Sequence, residues 1–234
     1  MGTRVGAMIG LTYVSDAPIP SRAANCVQML HVSASLAEAG CNVALFAPRT
    51  SDRRSGTSDE ERVREEFAIR APVPIRYLPY IEIRGRLGGS YFPIAVAAAK
   101  LSTRPYLMTR NARIALLGAR MGLDVIYEAH TPPNSPATRQ AVGKLARSKR
   151  LVLAVFISER LRGLMLPYLS PHTKTAVLHD AVDIDRFTPV RTREEARSEL
   201  GLSPAGRVVL HAGSLYAGRG AEELIGLLRS LPSG

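Results

Sequence analysis

Three groups of residues carry side chains whose types and spacing suit chemistry. The first is the turn HAGSLYAGRGAEEL, where Gly213, Gly218 and Gly220 follow an apolar run and precede a helical pattern. Ser214 and Arg219 lie inside it. A strand-to-helix turn of this kind offers backbone amides, a helix N-terminus and here one guanidinium to a phosphate. The second group is Glu128 and His130, two residues apart at the end of a strand-like run, so both side chains share one face of extended backbone. Open α/β sheets place ligand-binding groups just past strand C-termini, which favours His130. Glu128 reads instead as structural, paired with an arginine such as Arg110, and Arg110 reads equally as a ligand contact or a salt-bridge partner. The third group is the loop 15–22 and the helix it enters, where Asp16, Ser21, Arg22 and Asn25 suit contacts to hydroxyls or a phosphate. Arg22 at a helix start opposes the helix dipole unless an anion or carboxylate lies nearby. Histidines at 31, 130, 172, 179 and 211 show no ligand spacing, and no metal site is expected.

The elements that must position these residues alternate between short β-rich runs and helical patterns, which implies βαβ units and a parallel sheet. Strands are expected at 4–11, 42–47, 75–78, 106–109, 124–129, 151–157 and 175–178, with residues 12–21 as a loop after the first. Helices are expected at 22–39, 59–66, 91–101 and 112–121, with another running to about 147 after a loop marked by Pro132, Pro133 and Pro136, and with Ser158 capping one more. In the first helix, Ala23, Val27, Leu30, Ala34 and Ala37 form an apolar stripe at spacings of four and three. Gly40 sits where a C-cap belongs. Gly85, Gly88 and Gly89 make a loop rather than a GxGxxG fingerprint. The expected organisation is a Rossmann-like domain over 1–178, a linker over 179–192 and the start of a second domain over 193–234. That second part holds a helix at 193–200, a strand at 207–212 and a helix at 221–231. One strand–helix unit cannot cover both faces of its strand, so on the order of 150 further residues are expected beyond residue 234.

Composition narrows the partners. Lysines and arginines number 31 against 20 acidic residues, a net charge of +11, which favours anionic partners. With aromatics at 6% and no recognised nucleic-acid motif, nucleic acid is not expected. The cluster Lys144, Arg147, Lys149 and Arg150 reads first as a dipole-matched helix end and second as a patch for the face of an anionic membrane. No apolar stretch of spanning length and no signal peptide are apparent, so a cytoplasmic protein is expected. Cys26 and Cys41 read as buried thiols rather than a disulfide or metal site.

Four segments, in order, resemble retaining glycosyltransferases of the GT-B fold, especially the large family of mannosyl- and glucosyltransferases that build surface glycans. They are SDAPIPSRAANCVQML with LAEAGCNVALFAP, TRNARIALLGARMGLDVIYEAH, FISERLRGLM with AVLHDAVDIDRFTP, and HAGSLYAGRGAEELI. The resemblance implies an N-terminal acceptor-side half of a GT-B fold followed by the first βα unit of a second Rossmann-like domain. It implies retaining hexose transfer from a UDP- or GDP-sugar to a glycan or lipid-linked acceptor, with no metal or other cofactor. In it, His130 matches the histidine that faces the reacting sugar. Asp16, Ser21, Arg22 and Asn25 line the acceptor side. Gly213, Ser214, Arg219 and Gly220 hold the nucleotide diphosphate, with Arg110 and Glu128 in support. Ser214 departs from the family's usual arginine, leaving Arg219 in place of its lysine as the one cation of that turn. The loop DAPIPSR lacks the paired glycines of some members, and Asp180 departs from the usual asparagine. Because the family's glutamate-containing motif would fall beyond residue 234, the chain by itself is expected to be inactive or weak. Two other classes remain open: a GT-B-fold UDP-sugar 2-epimerase, and a non-catalytic module that binds a phosphorylated or lipid-linked glycan.

Overall fold

The computed structural model describes residues 8–48, 59–80, 82–83, 86–87, 90–213, 218 and 220–230. They fall into two compact units, Met1–Asp180 and Ala181–Gly234. The expected Gly85, Gly88 and Gly89 loop lies outside the described residues; beside it sits a short antiparallel pair, β4 (Glu82–Ile83) with β5 (Arg86–Leu87).

The first unit is built on seven parallel strands, the architecture that the alternating pattern implies. In chain order they are β1 (Gly10–Val14), β2 (Asn42–Pro48), β3 (Ile75–Leu78), β6 (Tyr106–Thr109), β7 (Asp124–Ala129), β8 (Leu151–Phe156) and β9 (Thr175–Val177). Across the sheet the order is β3-β2-β1-β6-β7-β8-β9. The chain thus builds outward from β1 in one direction, returns, and builds outward from β6 in the other. Between β1 and β6 lies the switch point, where an open parallel sheet leaves a crevice at its strand C-termini.

The helices α1 (Ala24–Glu38) and α2 (Asp59–Glu66) cover one face over a core of Leu11, Tyr13, Leu30, Leu45 and Met108. On the other face lie α3 (Tyr91–Lys100), α4 (Ala112–Arg120), α5 (Pro136–Ala146) and α6 (Glu159–Met165), over Val14, Phe46, Leu107, Val125 and Phe156. Both faces of the central strands are therefore dry, which is why these strands read as continuous apolar runs. Gly40 ends α1 at φ +87°, with its amide on Ala37 O at 3.0 Å and that of Cys41 on Leu36 O at 2.9 Å. These are the paired bonds of a Schellman turn, which need the left-handed conformation that glycine adopts without a Cβ clash. Ser158 caps α6 by accepting from the Leu161 amide.

Three expectations need correction. The first strand spans Gly10–Val14 rather than 4–11: Met8 and Ile9 lie before it, residues 4–7 lie outside the described residues, and it continues through Thr12, Tyr13 and Val14 instead of yielding to a loop at 12. Pairing to β2 and β6 on both sides extends it, and the buried Thr12 hydroxyl meets that of partly buried Ser102 at 3.1 Å. In α1 the buried stripe is Cys26, Met29, Leu30, Ser33 and Ala34, while Ala23 is exposed. Leu30 and Ala34 of the expected stripe are buried, but a stripe otherwise made of alanines and one valine is a weak guide to the buried side when Met29 and Cys26 lie one step round the helix. Of the two cysteines, both free, Cys26 is buried but Cys41 only partly so.

In the second unit α7 (Arg193–Glu199) opens on a full capping box between Thr192 and Glu195, and α8 (Ala221–Ser230) follows the glycine turn. The expected strand at 207–212 is not formed. No strand lies among the described residues of this unit, so the amides and carbonyls of Val208, Val209 and Leu210 have no ladder to join, and all three side chains are exposed.

Candidate functional site

Register and parity decide which polar side chains meet at the switch point. Tyr13 pairs with Met108 and Met108 with Ile126, all on the α1 face of the sheet. Two residues further along their strands, Arg110 and Glu128 must project from the same face, and His130 two further again. Arg110 directly follows β6, Glu128 is in β7 and His130 directly follows it.

The result is a closed network around one carboxylate. Arg110 Nη2 donates to Glu128 Oε1 at 3.0 Å, and His130 Nε2 lies 2.7 Å from the same oxygen. The Tyr13 hydroxyl donates to Glu128 Oε2 and accepts from Arg110 Nε at 2.9 Å. From α1, Gln28 Oε1 accepts from Arg110 Nη1 at 3.1 Å, and the Asn25 carbonyl accepts from the same nitrogen at 3.4 Å. Gln28 in turn donates to Asp180. The Glu128 and Arg110 side chains are 7% and 10% exposed, and that of His130 is 21%. The network is therefore buried on the protein side and open at the histidine.

Burial by itself would raise the Glu128 carboxyl, but the His130 hydrogen bond, the Arg110 charge and the Tyr13 hydroxyl outweigh it and hold the group at about 2. Burial likewise opposes the Arg110 charge, yet Tyr13 and Glu128 push its pKa up. Burial first, then the neighbouring carboxylate, raises Tyr13 well above the ordinary phenol range, so it keeps its proton and remains a donor. An ionised carboxylate can only accept. The hydrogen shared with Glu128 therefore sits on His130 Nε2, and among the described residues none engages Nδ1. That orientation leaves Nδ1 as the ring nitrogen available to a ligand hydroxyl.

The remaining sequence candidates divide. Asp16, just past β1, accepts from Asn111 Nδ2 at 2.8 Å and so lies at the rim of the same strand ends. Asn25 joins the network only through its backbone, with its side chain exposed. Ser21 Oγ accepts from the Ala23 amide at 3.2 Å, a local turn that leads into α1. Arg22 reaches away from the network to Glu66 at 3.1 Å, with 86% of its side chain exposed. That carboxylate answers the helix-dipole argument without a substrate, and an exposed pair of this kind contributes little. In the second unit, Gly213, Gly218 and Gly220 all take positive φ, at +143°, +80° and +85°, and the Gly220 carbonyl accepts from the Leu224 amide at the start of α8. Ser214 and Arg219 lie outside the described residues. Among the described residues no cluster of three or more His, Cys, Asp or Glu side chains is placed to hold a metal ion.

Tyr13, Gln28 and Asn111 are members of this polar cluster that the sequence reading did not single out. The signal for Tyr13 was its period-two spacing after Leu11, hidden by ending the strand at residue 11. Asn111 carried a helix N-cap signal, and it serves that role with bonds from the Arg113 and Ile114 amides.

No family model matches the chain, and no curated protein matches it. Solved structures do. HepE of Anabaena, determined in complex with UDP and glucose, matches over 96% of this chain and 59% of its own, with a TM-score of 0.66 at 14% identity. Sucrose-phosphate synthase from Thermosynechococcus elongatus matches over 96% and 60%, with a TM-score of 0.67 at 13% identity. The chain shares their fold. A glycosyltransferase from Rickettsia africae matches over 83% of this chain and 48% of its own, with a TM-score of 0.52 at 12% identity. The chain spans about 60% of the length of the first two proteins. At such identities the likeness concerns the backbone, and it transfers no residue's role.

Proposed function

We propose that the chain belongs to a glycosyltransferase that moves a hexose, with retention, from a UDP- or GDP-sugar to a glycan or lipid-linked acceptor. The observation that carries this reading is the Glu128-centred network presenting His130 past β7, one strand from the switch point, in a fold shared with a protein solved with UDP and glucose. In this reading His130 Nδ1 meets a hydroxyl of the reacting sugars, and Glu128, Arg110 and Tyr13 hold the ring in place. Asp16, at the rim of the same strand ends, contacts the acceptor. The turn 213–220 offers amides, Ser214 and the Arg219 guanidinium to the diphosphate, stabilising negative charge as it leaves.

Two measurements test it. Calorimetric titration should detect UDP or GDP, and Arg219→Ala should weaken that binding by roughly 1.5–3 kcal/mol, the range for hydrogen bonds to charged groups. In a sugar-transfer assay on the full-length protein, His130→Ala should lower kcat about 10- to 1,000-fold, while the fold persists with a loss of about 1.5–3 kcal/mol from the bond to the Glu128 carboxylate. No binding of either nucleotide, or undiminished transfer by His130→Ala, removes the reading. Interconversion of UDP-sugars without an acceptor would point to the epimerase class instead.

A further inference from the structure

Parallel topology gathers the connections 101–105, 121–123 and 147–150 at the N-terminal ends of β6, β7 and β8, the end of the sheet opposite to His130. Helices α3, α4 and α5 all run antiparallel to these strands, so their C-termini arrive at this same edge. Lys100, Arg120, Lys144, Arg147 and Lys149 are exposed here, and among the described residues none of them is paired with a carboxylate. Continuity across the patch is direct. Lys100 Nζ reaches to 3.6 Å from where a Cβ on Gly122 would stand, and the Val125 amide bonds the Arg150 carbonyl at 2.7 Å. Two other arginines at this edge are committed. Arg150 pairs with Asp124, the first residue of β7, at 3.0 Å, and Arg104 is held by Asn42 Oδ1 at 2.8 Å.

The helix dipole accounts for cations in the last turns, as at Lys100, Arg120 and Lys144. It does not account for Lys149, beyond the end of α5, nor for what the cations surround. Leu101 is 86% exposed and Met121 is 38% exposed, each directly following a helix that ends in a cation. Strands spaced about 4.8 Å apart bring the three connections within roughly 10 Å of one another, about one Debye length, so their charges act together on one flat anionic partner.

We propose that this edge docks on an anionic lipid bilayer, with the five cations on the headgroups and Leu101 and Met121 entering the interface. Exposed apolar side chains inside the cationic patch favour a bilayer over nucleic acid, which would call for aromatic stacking or base-reading groups that this edge lacks. Because the patch lies at the opposite end of the sheet from the Glu128 network, the proposal stands independently of the catalytic reading.

Vesicle co-sedimentation tests it, using phosphatidylcholine alone and phosphatidylcholine mixed with phosphatidylglycerol. The protein should bind only the mixed vesicles, and less so as salt rises. The triple variant Lys144→Ser, Arg147→Ser, Lys149→Ser should bind roughly a hundredfold more weakly, at about fivefold for each cation. A control removing the same charge elsewhere, Arg193→Ser, Arg207→Ser, Arg229→Ser, should bind nearly as wild type. Leu101→Ser should lose roughly tenfold, the value of one leucine side chain withdrawn from an apolar contact. Thermal melts should be alike throughout, since every substituted side chain is exposed. Equal losses for the two triples would show a net-charge effect and overturn the proposal. So would absence of binding, equal binding to pure phosphatidylcholine, or indifference to Leu101→Ser together with tighter binding to an RNA oligonucleotide.

Discussion

Glu128 receives three donors from three separate places in the chain, and its carboxylate is ionised well below the range of a free glutamate. The group ionises in the folded protein at about 2 against an ordinary 4.5. As pH falls, the unfolded chain takes up this proton first. The stabilisation is therefore complete above about 4.5 and declines between there and about 2, worth roughly 3 kcal/mol in all. Glu128→Gln should flatten that part of the pH–stability curve. It should also cost about 3–5 kcal/mol at neutral pH, because Arg110 keeps a buried charge without its partner. Tyr13→Phe removes one neutral donor and should cost about 1–2 kcal/mol with the pH dependence largely retained. Urea titrations of the three proteins from pH 7 down to 3 check this. A Glu128→Gln variant as stable as wild type at neutral pH would mean that the network contributes nothing. At this scale the sequence reading had Glu128 with Arg110 and His130 on the same face, each for its own reason. It treated pairing with Arg110 as the alternative to a role beside His130, whereas one Glu128 oxygen meets both the arginine and the histidine.

Element boundaries were most legible where a side chain with a single good local use marks them. Helix α2 and strands β3, β6 and β7 lie where the residue pattern puts them. Ser158 and Gly40 perform their capping roles. Asn111 does two things at once: its Oδ1 caps α4 and its Nδ2 ties the β6–α4 turn to Asp16 past β1. Ser158→Ala should therefore cost about 1 kcal/mol. Asn111→Ala should cost more, about 2 kcal/mol, since the bond to Asp16 goes as well. Asn111→Asp keeps the cap acceptor but sets a carboxylate against Asp16, so at neutral pH it should fall below wild type in stability. Denaturant midpoints order the three, and Asn111→Ala no more harmful than Ser158→Ala would separate Asp16 from the site rim. Less legible were the end of β1 and the 207–212 segment. In both, a neighbouring strand decides the outcome: β1 is extended by two partners, and 207–212, apolar enough for a strand, has none among the described residues.

At the scale of the molecule, the first unit carries two packed apolar layers on a seven-stranded sheet, while α8 buries none of its side chains and Ile225, Leu227 and Leu228 stand about half exposed. Local opening follows burial. Limited proteolysis should therefore cut first within or beyond residues 179–193, where the backbone is exposed, and leave a resistant core ending near Asp180. Mass spectrometry of the fragments checks this, and a resistant second unit of equal lifetime would contradict it.

The sequence by itself determined the parallel α/β architecture, because alternation of apolar period is a property of each segment alone and recurs seven times before residue 180. It also determined that the chain is strongly basic and that a glycine turn with Gly213, Gly218 and Gly220 precedes a helix. Only the tertiary structure decided which charges meet. Arg22 and Arg110 are equivalent on paper, each beside a helix start and within reach of a carboxylate. One lies at the surface on Glu66, and the other is buried on Glu128 with Tyr13 against it. The difference arises because contacts between residues about a hundred positions apart depend on strand order and register, and these are set by the summed burial of the whole sheet rather than by any local run of residues.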